Sequence, residues 1–354
     1  MDQKINDKIM RHFSITPVDV VQFFAGRTVT DAASELKALI AAGLDQLPMP
    51  GHGETLARWR ILAAVAAKNL SLLKLYEGHT DALAILNEIG GFAAPKGSAW
   101  GTWCAEPPDA RLFLHTEFAG PEVRLRGRKS WCSGAKHVSH ALVSCWNSAN
   151  EPCLAAVQLR QPGMHITCES WHAVGMAESE SVDVVFEDAS AVQIGGPNVY
   201  VNRHGFWYGG AGIAACWYGA ASALAVTLHE QVRQQQSSAT ADPHRLAHLG
   251  SIDVALGAAA GLLRASAAAI DQRSTLTTMP MIMVTLRARL AVEAAATLVM
   301  NAATRALGAG PLCRDAHFAR MVADLPVFLR QSHAERDLAQ LGKLVVGENS
   351  PWLL

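Results

Sequence analysis

Charge is scarce in this chain and nearly balanced. Lys and Arg number 30 against 31 Asp and Glu, a net charge of −1, and charged residues fill only 17% of the 354 positions. With a pI near 6.9, nothing marks an electrostatic partner such as a nucleic acid or an acidic membrane. The seven cysteines (Cys104, Cys132, Cys145, Cys153, Cys168, Cys216 and Cys313) are scattered, odd in number and never arranged as CxxC. That spacing argues against a disulfide framework or a zinc site. The 14 histidines include no HExxH or HxH pattern. His244 and His248 stand four apart without a third ligand nearby, so no metal is expected.

Long apolar runs are also missing. The longest, Ala211 to Val226, is interrupted by Gly212, Trp217, Tyr218, Gly219 and Ser222, and falls short of the roughly 20 residues of a membrane span. The N-terminal stretch Met1 to Lys8 has no apolar signal core, and a cytoplasmic location is expected. Hydrophobic residues nevertheless make up 50% of the chain. That content implies much helix buried on several sides, and oligomerisation is expected.

Three regimes follow one another. Residues 1–97 read as helical: Asp31 to Gly43, Arg58 to Tyr76 and His79 to Ile89 place apolar residues at three- and four-residue spacing. Asp31 is a candidate N-cap, Gly43 a candidate stop, and Leu47 to Gly53 a loop. Residues 98–196 change to a period of two. Glu122–Arg126, Ala141–Trp146, Leu154–Leu159 and Val182–Phe186 read as strands of an antiparallel barrel or sandwich. Residues 197–354 are Ala-rich and predict four helices, Gly209–His229, Pro243–Arg273, Pro280–Gly308 and Asp315–Gly342. A polar loop from Gln234 to Asp242 separates the first two, and an antiparallel four-helix bundle is the economical packing. The expected fold class is α+β and mostly α: an N-terminal helical domain, a small β domain and the bundle.

Two segments of the β region each set a large indole beside small and hydroxyl residues. One is Gly101-Thr102-Trp103-Cys104-Ala105-Glu106-Pro107-Pro108-Asp109-Ala110, the other Gly127-Arg128-Lys129-Ser130-Trp131-Cys132-Ser133-Gly134. An aromatic wall with backbone amides and a hydroxyl at its edge suits a flat redox cofactor.

The helix–β–bundle order resembles the acyl-CoA dehydrogenase superfamily, and the two Trp segments carry the resemblance. Glu106-Pro107 is similar to the Glu-Pro of that family's Tyr-x-x-Thr-Glu-Pro segment. Gly127 to Gly134 tracks its Gly-x-Lys-x-Trp-Ile-Thr-Asn-Gly segment. Val174-Gly175-Met176 with Ser181 to Asp188, Gly209 to Ala221, and Leu307 to Gly310 with Arg314-Asp315-Ala316 add further likeness over residues 70–342. The resemblance implies FAD, with Trp131 walling the ring and Ser133 offering a hydroxyl and an N–H to its N5/O4 side. Thr102, Cys104 and Ala105 would meet the pyrimidine edge. Arg305, Gly308 and Gly310 would serve the FAD of a neighbouring subunit in a homodimer or homotetramer.

Three departures qualify it. The family's Arg-x-x-Phe-Gly segment is absent near Val232 to His248, where Arg233 or Arg245 would have to substitute. Pro107-Pro108-Asp109 replaces the usual Gly-x-Gly-Ser. The expected position of the catalytic Glu, counted from Arg314-Asp315-Ala316, falls on Ala323, and the alternative near Asn202 to Phe206 holds no acid. Asp324 is then the first candidate base and Glu335 the second. The leading expectation is α,β-dehydrogenation of an acyl thioester, an acyl-CoA, by proton abstraction and hydride transfer to FAD, with an electron acceptor to reoxidise it. One alternative keeps the fold as a two-component flavin monooxygenase fed by a reductase, with His317 or His333 stabilising a flavin peroxide or activating a substrate hydroxyl. Another is a non-catalytic binding paralogue.

Overall fold

A computed structural model describes residues 15–27, 31–116, 120–167, 171–235, 242–272, 278–349 and 352. Cys168 and residues 236–241 of the polar loop lie outside them. The first helix, α1 (Pro17–Phe24), opens on a reciprocal cap. Thr16 Oγ1 accepts the Asp19 N–H at 3.3 Å and Asp19 Oδ2 accepts the Thr16 N–H at 2.7 Å. In α2 (Ala32–Ala41) Asp31 accepts the Ser34 N–H at 2.8 Å, and Gly43 beyond its end has a φ of +70°, so both keep the roles their residue types suggest. Two helices follow, α3 (Thr55–Ala66) and α4 (Leu70–Ile89). The apolar pattern alone puts the break after Tyr76. It falls instead at Ala67–Asn69, because the Asn69 side chain accepts the Leu72 N–H at 2.9 Å and caps α4.

Seven strands form one sheet: β1 (Trp100–Trp103), β2 (Leu112–His115), β3 (Glu122–Cys132), β4 (His140–Trp146), β5 (Pro152–Gln158), β6 (Met164–Ile166) and β7 (Val182–Gln193). The order β4-β2-β3-β7-β5 closes because β5 returns to β4. The ring is mostly antiparallel, as the alternation suggested, with one correction. β1 and β2 both run parallel to β4, registered at Trp100↔His140 and Phe113↔Trp146. Closure leaves the main strands no open edge. Inward residues such as Leu112, Leu125, Val143 and Val184 are fully buried.

The C-terminal helices are α5 (Val199–Asn202), α6 (Gly205–Gln235), α7 (Pro243–Asp271), α8 (Thr278–Leu307), α9 (Ala309–Arg314), α10 (Ala316–Leu329) and α11 (Glu335–Val346). The continuous fourth helix expected from Asp315 to Gly342 is divided at 330–334, where Ala334 takes a φ of +46°. Ser332 Oγ accepts the Ala334 N–H at 3.2 Å and Asp337 the His333 N–H at 3.1 Å, so side chains stabilise the break. Helices α6 and α7 are longer than the apolar run in the sequence, and by length and composition each is apolar enough to cross a membrane. In α6 that apolar window is 72% buried inside the chain, in α7 only 17%. One continuous apolar core joins α1 to α4, the barrel and helices α6, α7, α8 and α10.

Close approach of α3 to α6 depends on Gly219. A Cβ there would stand 2.3 Å from the Ala63 carbonyl oxygen and 2.7 Å from its Cα. Replacing a helical Gly by Ala ordinarily gains about 0.5–1 kcal/mol, but overpacking costs about 1–3 kcal/mol. Here the obstacle is backbone that cannot rotate away, so the cost should dominate. Gly219→Ala is expected to lower unfolding free energy by about 1–2 kcal/mol in urea melts; a stabilised variant would contradict the packing described.

Candidate functional site

The second Trp segment departs from regular strand geometry where its chemistry lies. Between Lys129 and Cys132 the pairing of β3 with β7 shifts register, and Trp131 in this bulge has a φ of +58°. The bulge turns the indole outward, leaving it 56% exposed. Trp103 goes the other way: it is buried, and its Nε1 donates to the Ser133 carbonyl at 3.1 Å. Gly101 allows this, since a Cβ there would meet the Trp103 indole nitrogen at 2.5 Å.

A cluster of polar groups ties the two segments. Lys129 is completely buried. Its ammonium donates to Glu106 Oε1 and, at 2.6 Å, to Ser144 Oγ on β4. Trp146 Nε1 donates to Glu106 Oε2 at 2.9 Å, and the Arg111 guanidinium stacks 4.6 Å from the Trp146 ring. The Glu of the Glu-Pro pair is therefore an anchor for the Lys of the other segment.

Thr102, Cys104, Ala105, Trp131 and Ser133 all line one cavity of about 610 Å³, a size in the range of ~300–1,000 Å³ usual for ligand sites. Burial pushes the Cys104 thiol up to about 11, so it is no nucleophile at neutral pH. The expectation for Ser133 changes in detail. Its N–H donates to the Trp131 carbonyl at 3.0 Å, and its hydroxyl is shared with Ser181 at 2.7 Å. A second hollow of about 400 Å³, lined by Arg124, His140 and Gln158 among others, contains none of these residues.

The cavity also gathers groups that the sequence pattern did not single out. Lys74, Glu77 and Asp81 project from one face of α4; their spacing of three and four on an otherwise apolar helix was the available signal. Glu77 is held by Lys74 at 3.0 Å. Asp81 lies 4.0 Å from Arg203, and burial raises its carboxyl above the usual range, partly offset by that guanidinium. Arg289 is committed to the carbonyls of Gly210 and Gln331, at 2.9 and 3.1 Å. Trp171, Ser179 and Ser181 line the cavity as well. The buried Trp171 indole N–H has no partner among the described residues, a donor that a carbonyl-bearing ring would satisfy.

The helix break brings His333 to this cavity. Its Nδ1 lies 3.3 Å from Asp337 Oδ1, which orients the imidazole. His317 is elsewhere, its Nε2 beside the Ala67 carbonyl at 3.0 Å. The two candidate bases do not line the cavity. Asp324 is buried at the contact between α10 and the loop before β7, where its Oδ1 accepts the Met176 N–H at 2.6 Å. Gly175 makes that contact possible, because a Cβ there would stand 1.9 Å from the Ala323 carbonyl oxygen. Glu335 is exposed in the first turn of α11. Arg305, Gly308 and Gly310 are exposed at the far end of α8. Gly308 has the positive φ of a helix stop, +66°, but Gly310 lies within the short helix α9 rather than a loop.

No protein-family model matches the chain, and no curated protein sequence matches it. Solved structures do. FMN-bound TdsC from Paenibacillus sp. A11-2, a dibenzothiophene monooxygenase, superposes with a TM-score of 0.74 at 17% identity over 88% of this chain and 89% of that one. KijD3 in complex with FMN and a dTDP-amino-keto-sugar gives 0.74 at 19% over 89% and 86%. A nitrososynthase from Micromonospora carbonacea var. africana gives 0.74 at 17% over 94% and 97%. The chain has the acyl-CoA dehydrogenase fold that these flavoproteins share.

Removing one partner of a buried ion pair costs about 3–5 kcal/mol. Lys129→Met, which keeps the stem and removes the charge, should therefore be milder than Glu106→Leu, which strands the ammonium. Equal losses in denaturant melts would contradict the anchoring role. Burial also raises the Asp324 carboxyl above its ordinary range, against the opposing pull of the Met176 N–H. The folded chain then holds that proton more tightly than the unfolded chain. The stability is complete below the unfolded value and lost as pH rises through the folded one. Asp324→Asn, neutral throughout, should raise the melting temperature more at pH 8 than at pH 4; the reverse order would contradict this.

Proposed function

We propose that the protein is a two-component flavin-dependent monooxygenase. It would take reduced FMN from a separate reductase and transfer one oxygen atom from O2 to a small-molecule substrate. The carrying observation is the charge pairing inside the cavity. Both acids that line it among the described residues, Glu77 and Asp81, stand beside cations, Lys74 and Arg203. Abstraction of an α-proton needs an ionised carboxylate free to receive it, whereas Glu77 is paired with Lys74 and burial favours the protonated form of Asp81. The acids expected for that task, Asp324 and Glu335, lie outside the cavity. An oriented imidazole, His333, is available instead.

The residues present suit a flavin. Trp131 offers an exposed indole face to a planar ring, and Trp171 a buried N–H donor without a partner among the described residues. Reduced flavin supplies the two electrons that split O2, one oxygen entering the substrate and the other leaving as water. Asp337 holds the His333 ring through Nδ1, which leaves Nε2 to deliver or take a proton. Lys74, Glu77 and Asp81 would bind polar groups of the substrate from the α4 side. FMN is favoured over FAD because the family's Arg-x-x-Phe-Gly segment is absent near Val232 to His248 and Gly310 lies within the short helix α9 rather than in a loop. The similar structures of TdsC and KijD3 hold FMN.

The test supplies enzymatically reduced FMN and ¹⁸O2 with indole, dibenzothiophene and amino-sugar nucleotides as probes. A product carrying one ¹⁸O is expected from at least one probe. His333→Asn should lower product formed per flavin oxidised by roughly 100-fold while FMN affinity stays unchanged. Absence of labelled product, together with anaerobic bleaching of bound flavin by an acyl-CoA, would overturn the reading in favour of a dehydrogenase.

A further inference from the structure

Arg289 reaches the cavity from α8 with its plane already fixed. Nη1 donates to the Gly210 carbonyl at 2.9 Å and Nη2 to the Gln331 carbonyl at 3.1 Å, which ties α6 to the break between α10 and α11. The guanidinium lies over the buried Trp217 indole, its Cζ 5.1 Å from the ring centroid. Gln331 lines the cavity as well, so the Nη2 end stands at the cavity wall. A guanidinium has five N–H groups, and the two carbonyls leave the others uncommitted.

No carboxylate pairs with this cation among the described residues, although Asp337, Glu293 and Glu77 lie near enough to act on it. Each of them is held by another group. Glu293, one turn further along α8 and the usual i,i+4 partner, is taken by Arg330 at 2.6 Å. Glu77 is taken by Lys74 at 3.0 Å. Asp337 accepts the His333 N–H at 3.1 Å on Oδ2 and faces its Nδ1 at 3.3 Å with Oδ1. The other charged side chains lining the cavity, Lys74, Glu77, Asp81, Arg330 and His333, each have a side-chain partner. Arg289 has neutral carbonyls and an indole face. Burial pulls its guanidinium below the ordinary value, against the pull of the three acids, and an arginine still stays charged at neutral pH.

We propose that Arg289 selects the substrate of this cavity and that the substrate carries a carboxylate. The inference rests on the monooxygenase reading, since it names the class of molecule that would be oxygenated there. Two oxygens on one carbon match two parallel N–H groups of the guanidinium fork, giving a pair of charge-assisted hydrogen bonds. An amide or alcohol of the same shape offers one oxygen and leaves the cation without its counter-charge. Because the plane is fixed beforehand, little freedom is lost on binding.

Isothermal titration calorimetry on the full chain, without flavin, compares benzoate with benzamide and indole-3-carboxylate with indole-3-carboxamide. In at least one pair the carboxylate should bind about tenfold tighter or better. Arg289→Gln, which keeps an amide donor and removes the charge, should abolish that preference. Arg289→Lys, which keeps the charge and loses the fork, should retain only part of it, and it decides the matter if the Gln variant does not fold. Equal or undetectable binding within both pairs, or a variant that keeps the natural preference, would overturn the inference. FMN and riboflavin are titrated alongside, because a phosphate could also occupy the fork. Arg289→Gln should leave both affinities unchanged; a loss for FMN that spares riboflavin would assign Arg289 to the flavin phosphate and overturn the inference. The ¹⁸O2 assay judges the monooxygenase reading separately. Labelled product without any carboxylate preference would remove the inference alone, whereas an Arg289-dependent preference without labelled product would remove the oxygenase reading and leave the carboxylate site standing.

Discussion

A lysine ammonium with no solvent exposure cannot remain charged without partners, and Lys129 finds them in Glu106 and Ser144. Taking such a charge out of water costs several kcal/mol, recovered only when the ion pair and its hydrogen bonds are well placed. That requirement fixes the cavity wall. Lys129 sits on β3 two residues before Trp131, and Glu106 follows directly on Cys104 and Ala105 after β1. Once the pair forms, both segments face the same space at a set separation. Trp146 and Arg111 seal the outer side of the pair, and the Trp103-to-Ser133 hydrogen bond ties the inner side.

The remaining walls come from distant parts of the chain. Helix α4 contributes Lys74, Glu77 and Asp81, the loop before β7 contributes Trp171 and Met176, and the α10–α11 break contributes Gln331 and His333. The continuous core that crosses all three regions holds these walls together, and Asp324 with Gly175, together with the Arg320–Glu178 ion pair, joins the loop to α10. The acid first considered as a base is thereby explained as a joint. A close structural role of this kind uses Oδ1 and leaves the carboxyl away from the cavity.

The Trp segments were legible in the sequence because their chemistry is local. Small residues, a hydroxyl and an indole within a few positions suffice to mark a cofactor wall, and Thr102, Cys104, Ala105, Trp131 and Ser133 do meet at one cavity. Periodicity also located most helices and strands, since burial of one face imposes it. Features decided by contacts between distant positions were not legible. The division of the last helix depends on Asp337 reaching back to His333, which leaves Ala and Leu spacing on either side undisturbed. The parallel pairing of β1 with β4 depends on barrel closure. The hydroxyl contacts of Ser133 depend on Ser179 and Ser181, both in the turn before β7.

In the proposed flavin site an anchored pair of Trp segments forms one wall and the segment carrying His333 another. A crystal structure of the protein with reduced FMN, grown without oxygen, tests this directly. The isoalloxazine is expected in the 610 Å³ cavity against the Trp131 indole, with Trp171 and Ser133 at its edge. FMN bound outside this cavity, for example in the hollow beside Arg124 and His140, would contradict it.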